Sequence, residues 1–458
     1  MRVSRLEKSI GIEVYATSSP GIGGVIRQSC EDFVVEELLV NGSKAEALTP
    51  YTSPSTQKWS STSRYLLCVL IKRDWDTFQA LEAIAKQLGI SPQKIHIAGI
   101  KDAKALTAQH ITIKDAKPED VKNLSIKDIK IASVGYFQTK LSPYYLLGNS
   151  FKIVIRAISH TKPAIMQRIE KVAKEIATLR GMPNFFGHQR FGTIRPITHL
   201  VGKAIVKGSF RKAAMIFLAK PYPLEHEEAR IAREELYCTQ DFKKALETFP
   251  EHLHYERLML EHLAKKPDDF KGAFRRLPVI LRKLFPQAYQ AYIFNRFLSK
   301  RIALGIPLNV AEAGDYVVKI ETTGLPSPKL HEIVSQEKIS EINSAIASGK
   351  MCLAIPLVGF GQRLSEGVQG EIEKQILEEE DIALENFKIK GMPELSLKGG
   401  LRIALTTLKD FKVEEISNDH ANPRKNMVRI SFTLHRGSYA TAFLRELMKP
   451  RNPIKAGF

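Results

Sequence analysis

The hydrophobic pattern of this chain changes its period twice, and that double change constrains the fold more than any other property of the sequence. The first third reads as mixed α/β. Apolar runs at 31–40, 64–72, 110–114, 130–137 and 151–158 predict strands. Asp74 or Asp76 is placed to cap a helix running to Leu88, with Gly89 as its stop, and a second helix is expected from about Pro163 to Arg180. A polar Ser/Thr/Pro stretch from Asn41 to Ser63 reads as a long loop. From Phe210 to about Arg301 the pattern is almost wholly helical, broken at Pro221, Pro223, Pro250 and Pro267. A mixed stretch follows, with a strand at 315–320 and helices near 336–348 and 367–380. Strand patterns then return at 401–416 and 426–434, before a last helix from about Tyr439 to Met448. This order points to one domain inserted in the middle of another.

A length of 458 residues exceeds one ordinary core, so two to three domains are expected. Lys and Arg total 68 against 49 Asp and Glu, a formal net charge of +19. Such a surplus favours a polyanionic partner without naming one. Cys30, Cys68, Cys238 and Cys352 are far apart and form no C-x-x-C pair. A zinc ribbon, an iron–sulfur cluster and a disulfide framework are therefore disfavoured, and a reducing, cytoplasmic compartment is expected. The first residues lack the apolar core of a signal peptide, and no window has the length of a membrane span. The paired histidines of 251–262 lie at i, i+2 and share no helix face, so no metal site is read there.

Four segments carry residues suited to chemistry. In Gly99-Ile100-Lys101-Asp102-Ala103-Lys104-Ala105-Leu106-Thr107-Ala108-Gln109 an acid sits between two lysines after a short apolar run, with a small-residue helical turn expected next. Taken alone, Asp102 is more often a helix cap or turn former than a catalyst. In Asn184-Phe185-Phe186-Gly187-His188-Gln189-Arg190-Phe191-Gly192, three aromatics, an amide and an arginine lie between glycines. Extruded bases are read by aromatic stacking and edge hydrogen bonds, and Asn offers both donor and acceptor. A bare core turn would seldom place Gln-Arg between aromatics. The third is Arg436-Gly437-Ser438-Tyr439-Ala440-Thr441, running on to Arg445-Glu446-Leu447-Met448. Ser438 can cap the helix that follows, and Arg445 and Glu446 fit a polar helix face as well as an RNA contact. The fourth joins the glycines of Gly21-Ile22-Gly23-Gly24 to Arg27 and to Cys30-Glu31-Asp32-Phe33-Val34-Val35-Glu36-Glu37. Those glycines precede a strand and not a helix, so a dinucleotide loop is a weak reading.

These four segments, in this order, resemble the TruD family of tRNA pseudouridine synthases. The matching patterns are G-x-K-D-x-x-A-x-T-x-Q, N-[YF]-F-G-x-Q-R-F-G, G-S-[FY]-A-T-x-x-x-R-E-L and E-D-F-x-V-x-E. Phe285–Arg296 bears a weaker likeness to the A-Y-Q-S-Y-L-F-N helix of the family's inserted domain, with Tyr289, Tyr292 and Phe294 expected mostly in core. The resemblance implies an α+β fold: a pseudouridine synthase catalytic domain built on a central antiparallel sheet from 1–205 and 395–458. A mostly helical TRUD insertion of 206–394 would complete a V-shaped molecule, with tRNA in the basic cleft between the two. It implies catalysis by Asp102 without a cofactor or metal, at tRNA position 13. Arg27 stands where bacterial members carry Lys and is expected to pair with Asp102. Phe186 and Tyr439 would hold the flipped base and Asn184 would bond its edge. Lys101, Lys104 and Arg190 would meet phosphates. A non-catalytic RNA-binding protein shares the charge and the aromatics, but has no need of Asp102. A nuclease or methyltransferase ranks lower, because no clustered acids and no methyl-donor glycine loop stand out. The pattern leaves the oligomeric state open, a monomer being compatible with it.

Overall fold

The structure, a computed structural model, describes residues 2–48 and 64–458, so residues 49–63 of the expected polar loop lie outside the described residues. In chain order the first strands are β1 (Phe33–Leu39), β2 (Tyr65–Arg73), β3 (Ile95–Ile97), β4 (Leu106–Lys114), β5 (Ile129–Phe137) and β6 (Leu146–Ile158). A two-residue β7 (Met182–Pro183) is followed, beyond the helical region, by β8 (Tyr316–Ile320), β9 (Pro326–Ile333) and β10 (Met351–Leu357). The last strands are β11 (Gly400–Ile403), β12 (Leu405–Thr406), β13 (Lys409–Asn418) and β14 (Asn426–His435).

An eight-stranded sheet runs β13-β14-β6-β1-β4-β2-β5, with β3 added on β4. Every pairing in it is antiparallel except β1 with β4, which is parallel. In this mixed sheet β1 is a central strand, flanked by β6 and β4. Consistent with that, β1 is buried along nearly its whole length, and its two glutamates are both ion-paired. The sheet takes β1 to β6 from the first third of the chain and β13 and β14 from its end. A smaller sheet runs β11-β10-β8-β9, and β7 pairs with β12.

Between the two groups of strands lies the helical stretch read from the sequence. It ends in the long helix Val279–Ala303, which packs on Thr198–Val206 and buries Ala288, Tyr289, Phe294 and Phe297 completely. Pro286, its eighth residue, lies inside this helix and has no N–H to give to the turn before it. Asp76 caps the helix Thr77–Leu88 by accepting from the N–H groups of Phe78 and Gln79, and Gly89 ends it at φ 67°.

Two local expectations fail. No helical turn follows Gly99, because the chain passes from β3 to β4 through an irregular loop that carries Asp102. Ser438 does not cap the last helix, Ala440–Met448. Tyr439 occupies the cap position without a side-chain bond, and the Ser438 hydroxyl lies 2.7 Å from that of Thr406. Among the described residues, no helix is long and apolar enough to cross a membrane.

Candidate active site

The loop between β3 and β4 is held at almost every residue. Gln109 Nε2 donates to the Gly99 carbonyl at 3.2 Å. Thr77 bonds both backbone groups of Lys101, donating to its carbonyl and accepting from its N–H, each at 3.2 Å. The Lys72 ammonium donates to the carbonyls of Trp75 and Asp102 at 2.6 and 2.7 Å. Lys72 is fully buried at the end of β2, and burial pulls its ammonium down to about 8 against the opposing pull of the Asp102 and Asp76 charges. These bonds fix the backbone on either side of Asp102 and leave its carboxylate partly open to solvent, 31% exposed.

Its partner is Arg27, whose Nη2 donates to Asp102 Oδ1 at 3.0 Å. Arg27 adopts φ 60°, a left-handed conformation that L side chains resist. Surrounding contacts hold it there. Val25 pairs with Arg156, Ile26 N–H donates to the Ala456 carbonyl, and Arg27 Nη1 donates to the Gly457 carbonyl at 3.1 Å. The guanidinium also lies 3.9 Å from the centroid of the Phe33 ring. Backbone strain of this kind persists only where neighbours over-determine it, and such places cluster at functional sites.

The pair opens into a cavity of about 650 Å³. Its wall is largely apolar, with Phe151, Phe217, Leu281 and Phe285 among the lining residues, and Arg190, Arg436 and Tyr439 bring the polar groups. Leu281 and Phe285 belong to the long helix of the middle segment, so both regions of the chain enclose the space. Arg190 lines it while donating to Gln287 Oε1 at 3.2 Å. Lys104 is exposed on the Asp102 loop.

Phe186 lies beside the cavity, its ring packed edge-on to Tyr439 at 6.0 Å and to Phe294 at 5.5 Å. Asn295 clamps its backbone, accepting from the Phe186 N–H and donating to its carbonyl. Gly187 is required by close approach, since a Cβ there would fall 2.5 Å from Thr441 Oγ1 and 2.9 Å from the Tyr439 ring.

Two expected site residues face elsewhere. Lys101 is buried, and its ammonium lies 2.6 Å from Glu37 Oε1 on β1. Burial pushes the Glu37 carboxyl up, but the Lys101 charge and the His110 bonds more than offset this and hold it below its ordinary value. Lys101 therefore ties the Asp102 loop to the sheet and has no charge to spare for a phosphate. Asn184 is also buried. Its amide donates to the Ile403 carbonyl at 3.1 Å and accepts from Arg402 Nη2 at 2.7 Å, so it does not present an edge to a base.

What Asn184 positions is Arg402, whose guanidinium lies 4.0 Å from the Phe186 ring centroid and bonds the Asn184 and Gly437 carbonyls. Burial pulls Arg402 down to about 10, leaving it charged at neutral pH. Sequence reasoning missed Arg402 and Lys72. For Lys72 a signal existed, because strand alternation puts it on the same face as buried Cys68 and Leu70. Arg445 and Glu446 prove structural: Arg445 bonds Glu7, Glu446 and the Val14 carbonyl in the interior.

Comparison with known proteins places this geometry in a class. A crystal structure described as that of a tRNA pseudouridine synthase D (TruD) from Methanosarcina mazei superposes with a TM-score of 0.81, at 39% identity over 99% of this chain and 100% of that one. A "Probable tRNA pseudouridine synthase D" of Methanosarcina acetivorans is 41% identical over 98% of both chains. A relative with the same description in Thermococcus onnurineus is 37% identical over 95% of this chain and 97% of its own length. Fold and relatives thus agree on an α+β pseudouridine synthase. Residues 9–447 match the family described as tRNA pseudouridine synthase D (TruD), and this chain belongs to that family.

Proposed function

We propose that this chain isomerises uridine to pseudouridine in tRNA, with Asp102 as the reacting carboxylate. The N1–C1′ bond of the nucleotide breaks and a C5–C1′ bond forms. C5 loses a proton and N1 gains one, so atoms balance without a redox partner. Asp102 serves as nucleophile or base in that sequence. Arg27 keeps it ionised and aimed, through a charge-assisted hydrogen bond. The target uridine leaves its stack to reach the carboxylate, and Tyr439, backed by Phe186, offers the ring against which its base rests. Arg190 and exposed Lys104 meet flanking phosphates. The catalytic unit is formed by 1–205 with 395–458 and the insertion by 206–394, with position 13 as the target that family resemblance implies.

The observation that carries this reading is the Arg27–Asp102 pair, opening into an aromatic-walled cavity in a chain of this family. Tritium release from C5-labelled uridine in tRNA tests it, together with chemical mapping of the product. Wild-type protein should release tritium and Asp102→Asn should not, while both bind tRNA. Wild-type-like conversion by Asp102→Asn removes Asp102 from catalysis. Tight tRNA binding without release by the wild type would favour the RNA-binding reading instead.

A further inference from the structure

Away from the Asp102 cavity, Lys449–Arg451 near the end of the chain separate two adjoining cavities, one of about 650 Å³ walled also by the glycine loop Pro20–Val25 and one of about 510 Å³ walled also by Arg2–Arg5 and Tyr15. His160, Arg168, Lys449, Arg451 and Lys455 line the first. Arg2 and Arg5 line the second, which shares Lys449, Pro450 and Arg451 with the first. Neither lining includes an Asp or Glu. Nearby carboxylates are already engaged. Glu175 accepts from the N–H groups of Ser18 and Ser19, and Asp419 accepts from Arg156 and the Ala157 N–H.

Several of these cations are uncommitted. Among the described residues, Arg2, Arg5, Arg451 and Lys455 make no ion pair and no side-chain hydrogen bond, while Lys449 and Arg168 spend one donor each, on the carbonyls of Thr17 and Gly21. The glycine loop also removes the local negative charge. Ile22 and Gly23 donate to the carbonyls of Leu447 and Met448, satisfying the end of the last helix, which would otherwise repel an anion. That approach needs glycine, because a Cβ at Gly21 would lie 2.5 Å from the Met448 carbonyl oxygen, and Gly24 sits at φ 92°.

We propose that these two cavities bind successive backbone phosphates of the RNA substrate, as an anchor separate from the Asp102 cavity. Like charges gathered without counterions favour a polyanion. Two cavities sharing one ridge suit a run of phosphodiesters better than a single ion. The same segments lead to the catalytic pair, since Ala456 and Gly457 bond Ile26 and Arg27. The proposal rests on the reading that tRNA is the substrate.

The test is the double variant Arg451→Ser, Lys455→Ser. Both side chains are exposed and unpartnered, so the fold should survive with an unchanged melting temperature. In an Asp102→Asn background, which needs no turnover, its tRNA affinity should fall about ten-fold at physiological salt. Its slope of log affinity against log salt should fall by roughly one to two, one lost phosphate contact being worth about 0.7 to 0.9. In the otherwise wild-type chain, kcat at saturating tRNA should hold. Arg5→Ser, in the second cavity, should weaken binding further.

Unchanged tRNA affinity and salt slope in the double variant overturn the proposal. So does loss of inorganic phosphate binding, measured by calorimetry at millimolar concentration, with tRNA binding intact, since the site would then serve a free anion. The two readings fail separately. Absent tritium release by the wild-type chain, with weakened tRNA binding in the double variant, removes the catalytic reading and keeps the anchor. Normal release with unchanged binding does the reverse.

Discussion

Arg27 and Asp102 stand 75 positions apart in the chain, yet Nη2 of one donates to Oδ1 of the other at 3.0 Å. The arginine reaches it from a left-handed backbone, anchored by Gly457 and stacked on Phe33. Charge alone does not reproduce that set of contacts.

Arg27→Lys keeps the charge but loses the planar fork and the ring stacking. The carboxylate should then be misaimed, with kcat falling by about 100-fold, the usual cost of a misplacement near 1 Å. Arg27→Met should lose more. Single-turnover conversion checks this, together with tRNA affinity, which should stay near wild type for both variants.

Lys101→Met should act on stability and not on RNA affinity. It strands the Glu37 carboxylate inside the sheet, and removing one partner of a buried pair costs about 3–5 kcal/mol. Urea unfolding should report that loss, and Lys101→Met with Glu37→Met should recover much of it. The salt slope of tRNA binding should not move, whereas a phosphate contact would lower it.

Asn184→Ala should unsettle Arg402, which loses an acceptor at 2.7 Å. An orphaned buried charge-assisted bond costs about 1–3 kcal/mol, so the melting temperature should fall in the absence of RNA. Conversion should fall through kcat, because the cation beneath Phe186 is no longer fixed. Arg402→Lys should fail to restore it. A rise in KM alone, at unchanged stability, would instead return Asn184 to the base edge.

Stability should fall on mild acidification. Burial pulls His188, His199 and His435 down to about 4 from the ordinary 6.5, so between those values the unfolded chain binds protons that the folded chain refuses. Each histidine contributes about 1.4 kcal/mol per pH unit inside that window. Glu373, pushed up to about 7 by burial, has the opposite sign and offsets one of the three. Urea unfolding at about pH 7 and about pH 5 should show a total net loss on the order of 3–4 kcal/mol, most of it below about pH 6.5. Equal stability at both would contradict it.

Among the candidate residues, what could be read in advance depended on whether a side chain's partner was local. Asp76 and Gly89 end their helix through neighbours in sequence: the pattern gives Gly89 as the stop and narrows the cap to Asp74 or Asp76, of which the structure takes Asp76. Ser438 had the right residue type and position for a cap, but found a closer partner in Thr406, 32 residues away. Lys101 and Asn184 carried the right chemistry for RNA contacts, and distant residues claimed both: Glu37 from β1, and Arg402 from β11. Nothing in the pattern around Arg402 marks it as the cation under Phe186.

The sequence by itself determined the order of the elements, the return of strands after the helical middle, the excess of positive charge and the segments that hold Asp102, Phe186 and Tyr439. Those follow from periodicity, turn chemistry and residue type, all local. Only the tertiary structure decided which polar groups in those segments face the cavity and which are spent holding it open. A buried charge must find its partner wherever the fold supplies one, and here the partners lie from 64 to 218 positions away in sequence.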